Sequence, residues 1–325
     1  MFSSKIISRL IQQQPSINLT QKCGSHVGFI GIGFMGTPMA THLMDKGNSL
    51  VVYDINKAAV ERFKAKGAQE ASCPAEMAEK CDRIFTMVPS DPYVIEVFGG
   101  KDGLLSKAKK GSILMDCSTV HPETSKKLFT MCSEKGVGFL DTPVAGAVPA
   151  AKAGTLTFMV GGSGDLVKKI ESLLLCMGKR VVHCGDIGAG AAAKICNNMM
   201  LAISMIGTSE TLNLAQNLGL SAEMMTEILN ISSGRTWVSE IYNPVPGILE
   251  TSPSSKNYEP GFKVELLAKD LGISQSCANK TAAITPMGSL AFTLYKTMVN
   301  NGYGEKDFSA AYQFLLKKGS GGIKV

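Results

Sequence analysis

Lys194 stands four residues before Asn198 in the run GAGAAAKICNN (188–198). On a helix those two side chains share a face, with Asn197 a little rotated from them. The glycines and alanines ahead of the lysine let a ligand or another backbone come close. Behind it MMLAISMIG (199–207) is apolar enough to bury the helix. An ammonium held with little water loses the solvation that favours its charged form, so its pKa falls toward neutrality. Such an amine can take the proton of an alcohol as hydride leaves the same carbon, and return it to the aldehyde oxygen in the reverse direction. Asn198 would then orient the amine or the substrate hydroxyl. The competing reading is a lysine that snorkels from a buried helix to the surface.

A hydride acceptor is suggested upstream. GIGFMG (31–36) follows an apolar run, VGFIG (27–31), and precedes the helix-like TPMATHLMDKG (37–47). A second apolar run then ends in Asp54. Gly31 suits a tight turn, Gly33 the approach of backbone to a pyrophosphate, and Gly36 close helix–strand packing; Phe34 and Met35 lie between them as cofactor neighbours. Phosphates favour a helix N-terminus, where free N–H groups and the helix dipole meet negative charge. Asp54 is placed to bind the adenosine ribose hydroxyls, and a carboxylate there opposes a 2′-phosphate, so NAD is expected over NADP. A glycine turn without a nucleotide is the plainer alternative. VPSD (88–91) and CSTVHP (117–122) leave further strands at the same carboxyl edge, where ligands bind in open α/β sheets. They make Pro89 and Thr119 candidate cofactor neighbours and bring Ser118 near the nicotinamide, although Ser, Thr and Pro also serve plain turns. None of His26, His42, His121 and His183 offers a better base than Lys194.

Elements that could position these residues alternate along the first half. Strand-like runs at 27–31, 49–54, 83–89, 112–118, 138–141, 157–162 and 180–185 are separated by segments of helical spacing such as 56–66, 75–80 and 122–136. Apolar β-branched runs between helices imply an α/β fold with a parallel sheet covered on both faces. Beyond residue 186 the pattern turns helical, over 189–217, 221–230, 263–280 and 286–300, interrupted by a Pro- and Ser-rich stretch at 232–262.

The 325 residues suggest about two domains. No run reaches the roughly 18 apolar residues of a membrane span. Nine scattered cysteines, an odd number without a C-x-x-C pair, argue against a disulfide framework and a zinc site and for a reducing compartment, with most of them expected in the core. Residues 1–25 hold Lys5, Arg9 and Lys22, no acidic residue, several serines, and Ile6, Ile7, Leu10 and Ile11 on one helical face. That composition is expected of a mitochondrial transit peptide, or else of a disordered leader. Without it the formal charge falls from +6 to +3, too small a surplus to point to nucleic acid.

FIGIGFMGTPMA (29–40), DCSTVHP (116–122), DTPVAGAVPAAKAGTLTFMVGG (141–162), GAGAAAKICNNMM (188–200) and GFKVELLAKDLG (261–272) resemble, in order, motifs of the β-hydroxyacid dehydrogenases. The resemblance spans roughly 26–316 and is far more specific than the glycine pattern alone. It implies a Rossmann-type, doubly wound, mostly parallel NAD-binding domain (26–187). An all-α substrate and oligomerisation domain (188–319) would follow, entered through a linking helix at 188–217; apart from the resemblance, the basic end KKGSGGIKV (317–325) is expected to be disordered, with 320–325 set off as a tail. It implies Lys194 as catalytic lysine supported by Asn198, Ser118 and Gly146 on the substrate, Val88, Pro89, Thr119 and Lys269 on NAD, no metal, and a homodimer or homotetramer. SSGRTW (232–237) and YNPVPG (242–247) narrow the implied reaction to (S)-3-hydroxyisobutyrate going to methylmalonate semialdehyde, a step of valine breakdown in the mitochondrial matrix. Where the family has D-x-P-V-S-G-G, this chain has Ala145 and Ala147. The missing hydroxyl is worth about 1.5–3 kcal/mol if it met a carboxylate, and Ala147 would be strained at a positive φ.

Two alternatives follow from the same residues: an NADPH-dependent semialdehyde or glyoxylate reductase, opposed by Asp54, and a non-catalytic dinucleotide-binding scaffold, supported only by Ala145 and Ala147. Trp237 can wall a substrate pocket or anchor helix packing. Lys269 and Asp270, apart from the resemblance, read as a solvated surface pair.

Overall fold

A computed structural model of the chain describes residues 26–319; the proposed leader (1–25) and tail (320–325) lie outside the described residues. The first half builds a nine-stranded sheet from β1 (His26–Ile30), β2 (Ser49–Tyr53), β3 (Gln69–Glu70), β4 (Arg83–Thr86), β5 (Ile113–Asp116), β6 (Gly138–Asp141), β7 (Val144–Ala145), β8 (Leu156–Gly161) and β9 (Gly178–Gly185). The order is β3-β2-β1-β4-β5-β6-β8-β7, with β9 paired to β8. From β3 to β6 every pairing is parallel. At β8 the direction reverses, antiparallel to both β6 and β7, and β9 follows it in parallel. The sheet is therefore mostly parallel, not parallel throughout as the apolar runs alone suggested.

Successive strand residues point to opposite faces. Phe29, Val52, Phe85, Met115 and Leu140 join one core layer, under helices α1 (Gly36–Asp45), α2 (Lys57–Lys64), α6 (Ala147–Ala153) and α7 (Gly164–Met177). Their neighbours Ile30, Val51, Ile84, Leu114 and Phe139 join the other, under α3 (Pro74–Lys80), α4 (Asp91–Gly99) and α5 (Pro122–Glu134). Burial on both faces explains why these strands read as continuous apolar runs.

The second half is helical: α8 (Ala189–Asn217), α9 (Ala222–Ile231), α10 (Trp237–Ile241), α11 (Val264–Thr281), α12 (Pro286–Met298) and α13 (Ala311–Gly319). Tyr295, Leu267, Leu271, Met205 and Val238 form its core. By length and composition α8 could cross a membrane; here it packs against β8, β9 and all five later helices. The helical reading at 286–300 overruns α12, because a wider turn at Val299–Tyr303 follows, with Gly302 at φ +81°.

Candidate active site

At the carboxyl end of β1 the chain turns through Gly31 at φ +88°, where a side chain would also collide with the Met87 carbonyl. A Cβ on Gly36 would strike the Gly31 carbonyl, so the helix can start this close to the turn only with glycine there. Gly33 faces open space, and α1 begins without an acidic residue in its first turn. Phe34 projects outward while Met35 packs on the core. Asp54 accepts the Ile32 N–H at 2.7 Å and the Asn56 N–H at 2.8 Å. Its carboxylate thus braces the glycine turn against the start of α2, and lies beside the space that Gly33 leaves open. These residues fit a dinucleotide: an open backbone cradle, an unopposed helix N-terminus for phosphate, and a carboxylate for the ribose.

The loops after β4 and β5 are bonded to one another. The Val88 N–H donates to Ser118 Oγ at 2.9 Å, and the Ser118 N–H donates to Asp116 Oδ1, which also accepts from Thr86 Oγ1. Burial pushes the Asp116 carboxyl up to about 6, against the pull of the Ser118 and Thr86 hydrogen bonds. Ser118 is buried, and its hydroxyl joins the two loops. Lys269, from α11, donates to the carbonyls of Pro89 at 3.0 Å and Thr119 at 2.7 Å. One amine from the helical half therefore clasps both loops of the sheet half. Lys280, about three turns further along α11, pairs with Glu123 at the head of α5.

Lys194 lies in the second turn of α8, and the structure gives its amine a defined partner rather than bulk water. Nζ donates to Asn198 Oδ1 at 2.9 Å, and Asn198 Nδ2 donates to Asp270 Oδ2 at 2.6 Å. Asp270 Oδ1 lies 3.0 Å from Lys269 Nζ. Asn198 and Asp270 are 1% and 3% exposed, which removes water as a competing partner. Burial pushes the half-buried Lys194 amine down to about 8; the Asp270 charge opposes that and the Lys269 charge adds to it. One bonded chain thus runs Lys194–Asn198–Asp270–Lys269 to Pro89 and Thr119. It brings the candidate base to the loops expected beside the nicotinamide.

Sequence reasoning misses Asp270. The Lys–Asp pair reads as solvated surface, yet Asp270 sits three residues after Leu267 and six after Val264, on the buried face of α11. A charged residue in register with an apolar helical stripe was the available signal. The histidines stand outside the chain: His42 on the Lys152 carbonyl, His183 on the Gly162 carbonyl and His121 on Cys277. Among the described residues no group of three or more His, Cys, Asp or Glu is placed to hold a metal ion.

Residues 26–185 match a family model described as the NAD binding domain of 6-phosphogluconate dehydrogenase, and residues 188–315 one described as NAD-binding of NADP-dependent 3-hydroxyisobutyrate dehydrogenase. Mouse mitochondrial 3-hydroxyisobutyrate dehydrogenase is 51% identical over 292 residues, covering 90% of this chain and 87% of that protein. This chain belongs to the β-hydroxyacid dehydrogenase family. The NAD-dependent L-serine dehydrogenase of Pseudomonas aeruginosa is 42% identical over 89% of this chain and 97% of its own length. Among solved structures, Mycobacterium tuberculosis 3-hydroxyisobutyrate dehydrogenase with L-serine superimposes with a TM-score of 0.84 at 33% identity, covering 90% of this chain and 99% of that one. As a member of the family the chain is an NAD-binding oxidoreductase.

The loop whose sequence departs from the family motif also turns through the left-handed region. Gly146, at φ +129°, caps α6, and Ala147 takes φ +54°, the left-handed region that disfavours a Cβ. Ala145 ends β7 opposite Thr157. Gly146 stands apart from the bonded chain of Lys194. Trp237 stacks on Tyr242 at 5.1 Å, which stacks on Phe308 at 5.1 Å, while 44% of Trp237 stays exposed. One face of the indole therefore packs and the rest is open. The eight described cysteines are all free, but only Cys81, Cys117 and Cys132 are buried. The expectation that most sit in the core fails, because the amphipathic helices place Cys196 outward and Cys73, Cys176 and Cys277 at half-buried seams.

Proposed function

We propose that this chain oxidises (S)-3-hydroxyisobutyrate to methylmalonate semialdehyde with NAD, Lys194 acting as general base and Asn198 as its orienting partner. The observation that carries the reading is the Lys194 amine, held at 2.9 Å from Asn198 Oδ1 with its pKa brought down to about 8 by burial. Bound NAD supplies the acceptor for the hydride that leaves the alcohol carbon. Neutral Lys194 takes the hydroxyl proton onto Nζ as the carbonyl forms, and returns it in the reverse direction. Asn198 Oδ1 accepts one N–H of the amine and so fixes where the remaining positions of Nζ point.

Gly31, Gly33, Phe34, Met35 and Gly36 cradle the dinucleotide, Asp54 selects its unphosphorylated ribose, and Val88, Pro89, Thr119 and Lys269 line the nicotinamide end. Ser118 and Gly146 take the substrate; the Ser118 hydroxyl accepts from the Val88 N–H and so holds the two loops together at that end of the pocket. The division falls at Gly188, after the sheet domain and ahead of the linking helix. Mouse and human relatives at 51% identity are named as mitochondrial proteins, and with the basic leader this supports the mitochondrial matrix. Exposed apolar side chains on the helical half, among them Met200, Leu214, Ile231, Ile241 and Leu290, support a homodimer or homotetramer.

L-Serine has the same 3-hydroxyacid skeleton with an amino group in place of the methyl, and a 42% identical relative is named for it. Steady-state rates on both hydroxyacids, each with NAD and NADP, test the reading. Highest kcat/KM with 3-hydroxyisobutyrate and NAD is expected. A preference for NADP points to the reductase alternative, and NAD binding without turnover on either acid to the scaffold.

A further inference from the structure

Asp141 ends β6 with its carboxylate buried, 1% exposed, and aimed at the first turn of α8. Oδ1 accepts the Gly188 N–H and Oδ2 the Ala191 N–H, each at 2.8 Å. Helix N-termini present N–H groups without intrahelical partners, and α8 receives no cap from its own N-cap residue, which is Gly188 at φ +90°. A carboxylate 47 and 50 positions away does that work instead. Two glycines make room for it. A Cβ on Gly161, which pairs with Asp141 across β6 and β8, would lie 2.5 Å from Oδ1; one on Gly190 would lie 2.8 Å from Oδ2 and strike the Met159 carbonyl. The small residues ahead of the lysine are thus required by the sheet and its carboxylate, which come up against the helix end.

Ala191, whose N–H is held, lies one turn before Lys194 on the same side of the helix. Asp141 is also the registered neighbour of Asp116 on β5, and Asp116 is the carboxylate that holds the Ser118 loop. Adjacent positions of one sheet therefore fix the loop and the helix that carries the base.

We infer that Asp141 is a positioning residue for the reaction: by double capping of α8 it sets the axial position of that helix, and hence of the Lys194 amine, over the loops of β4 and β5. The inference rests on Lys194 being the base. Displacing a catalytic group by about 1 Å can cost on the order of 10²-fold in rate. Asp141→Asn keeps the shape but must turn an NH₂ toward one of the two N–H groups, a donor against a donor. Asp141→Ser is smaller, so it fits the same space, and its single oxygen can accept from only one of the two N–H groups.

The test measures kcat, NAD affinity and melting temperature for Asp141→Asn and Asp141→Ser, and repeats kcat for Asp141→Asn in a Lys194→Ala background. Expected is a kcat loss of about 10- to 100-fold for Asp141→Asn, a comparable loss for Asp141→Ser, unchanged NAD affinity, and no further loss once Lys194 is gone. An equal loss in the Lys194→Ala background overturns the inference, as does unchanged kcat, or failure of both variants to fold. If Lys194→Ala itself leaves turnover intact, the base assignment fails instead.

Discussion

Asn198 donates its amide N–H to Asp270 Oδ2 at 2.6 Å, joining α8 to α11 across 72 positions of sequence. A carboxylate paired with Lys269 accepts and does not donate, so the NH₂ end of Asn198 must face it. Oδ1 is then turned toward Lys194, where it accepts from the amine whether that amine is charged or neutral. The orientation of the residue beside Lys194 is thus imposed from a different helix.

Asp270→Asn is expected to undo this. An amide at 270 can donate as well as accept, so Asn198 loses its single orientation, and the charge that favours the Lys194 ammonium disappears. The kcat should fall by about 10-fold or more, and the inflection in the pH profile should move below its wild-type position. NAD affinity should weaken too, since Lys269 loses its ion pair. An unshifted profile would contradict the charge linkage.

Because burial brings Lys194 down to about 8, the oxidation rate at limiting substrate should rise with pH through that value and level off above it. With the neutral amine as the proposed base, the active fraction falls about tenfold per pH unit below the inflection. Aldehyde reduction needs the ammonium and should decline through the same pH. Rate measurements in both directions check this; two limbs of the same sign would contradict it.

Ala147→Gly relieves a non-glycine residue at φ +54°. Stability should rise by about 1 kcal/mol, the left-handed penalty less the added freedom of the unfolded chain. Thermal unfolding reads this directly, and a lower melting temperature would show that the loop tolerates the alanine without strain.

Ala145→Ser restores the hydroxyl that the family motif carries. If the substrate carboxylate lies against this loop, KM should drop by roughly 10-fold with kcat little changed, the worth of one hydrogen bond to a charged group. An unaltered KM would place the carboxylate elsewhere.

Much of this was legible in the chain. Strands such as Gly138–Asp141 and the helix Ala189–Asn217 were readable to the residue, since doubly buried strands and long helices carry strong patterns. The strands Gln69–Glu70 and Val144–Ala145 were not, because two residues hold no period. The reversal at Leu156–Gly161 leaves no trace, as an apolar run reads alike in either direction. Lys194 and Asn198 were found through local spacing. Asp270 and Asp141 were not, because each works through a contact to residues dozens of positions away; locally Asp270 reads as surface and Asp141 as the plain end of a strand.

The central claim is that the Lys194 amine is the proton acceptor, and Lys194→Ala tests it most directly. Turnover of 3-hydroxyisobutyrate with saturating NAD should fall by about 10²- to 10⁴-fold, while NAD binding, followed by calorimetry, stays as in the native enzyme. Turnover within a few-fold of native, in a variant that still binds NAD, would contradict the account.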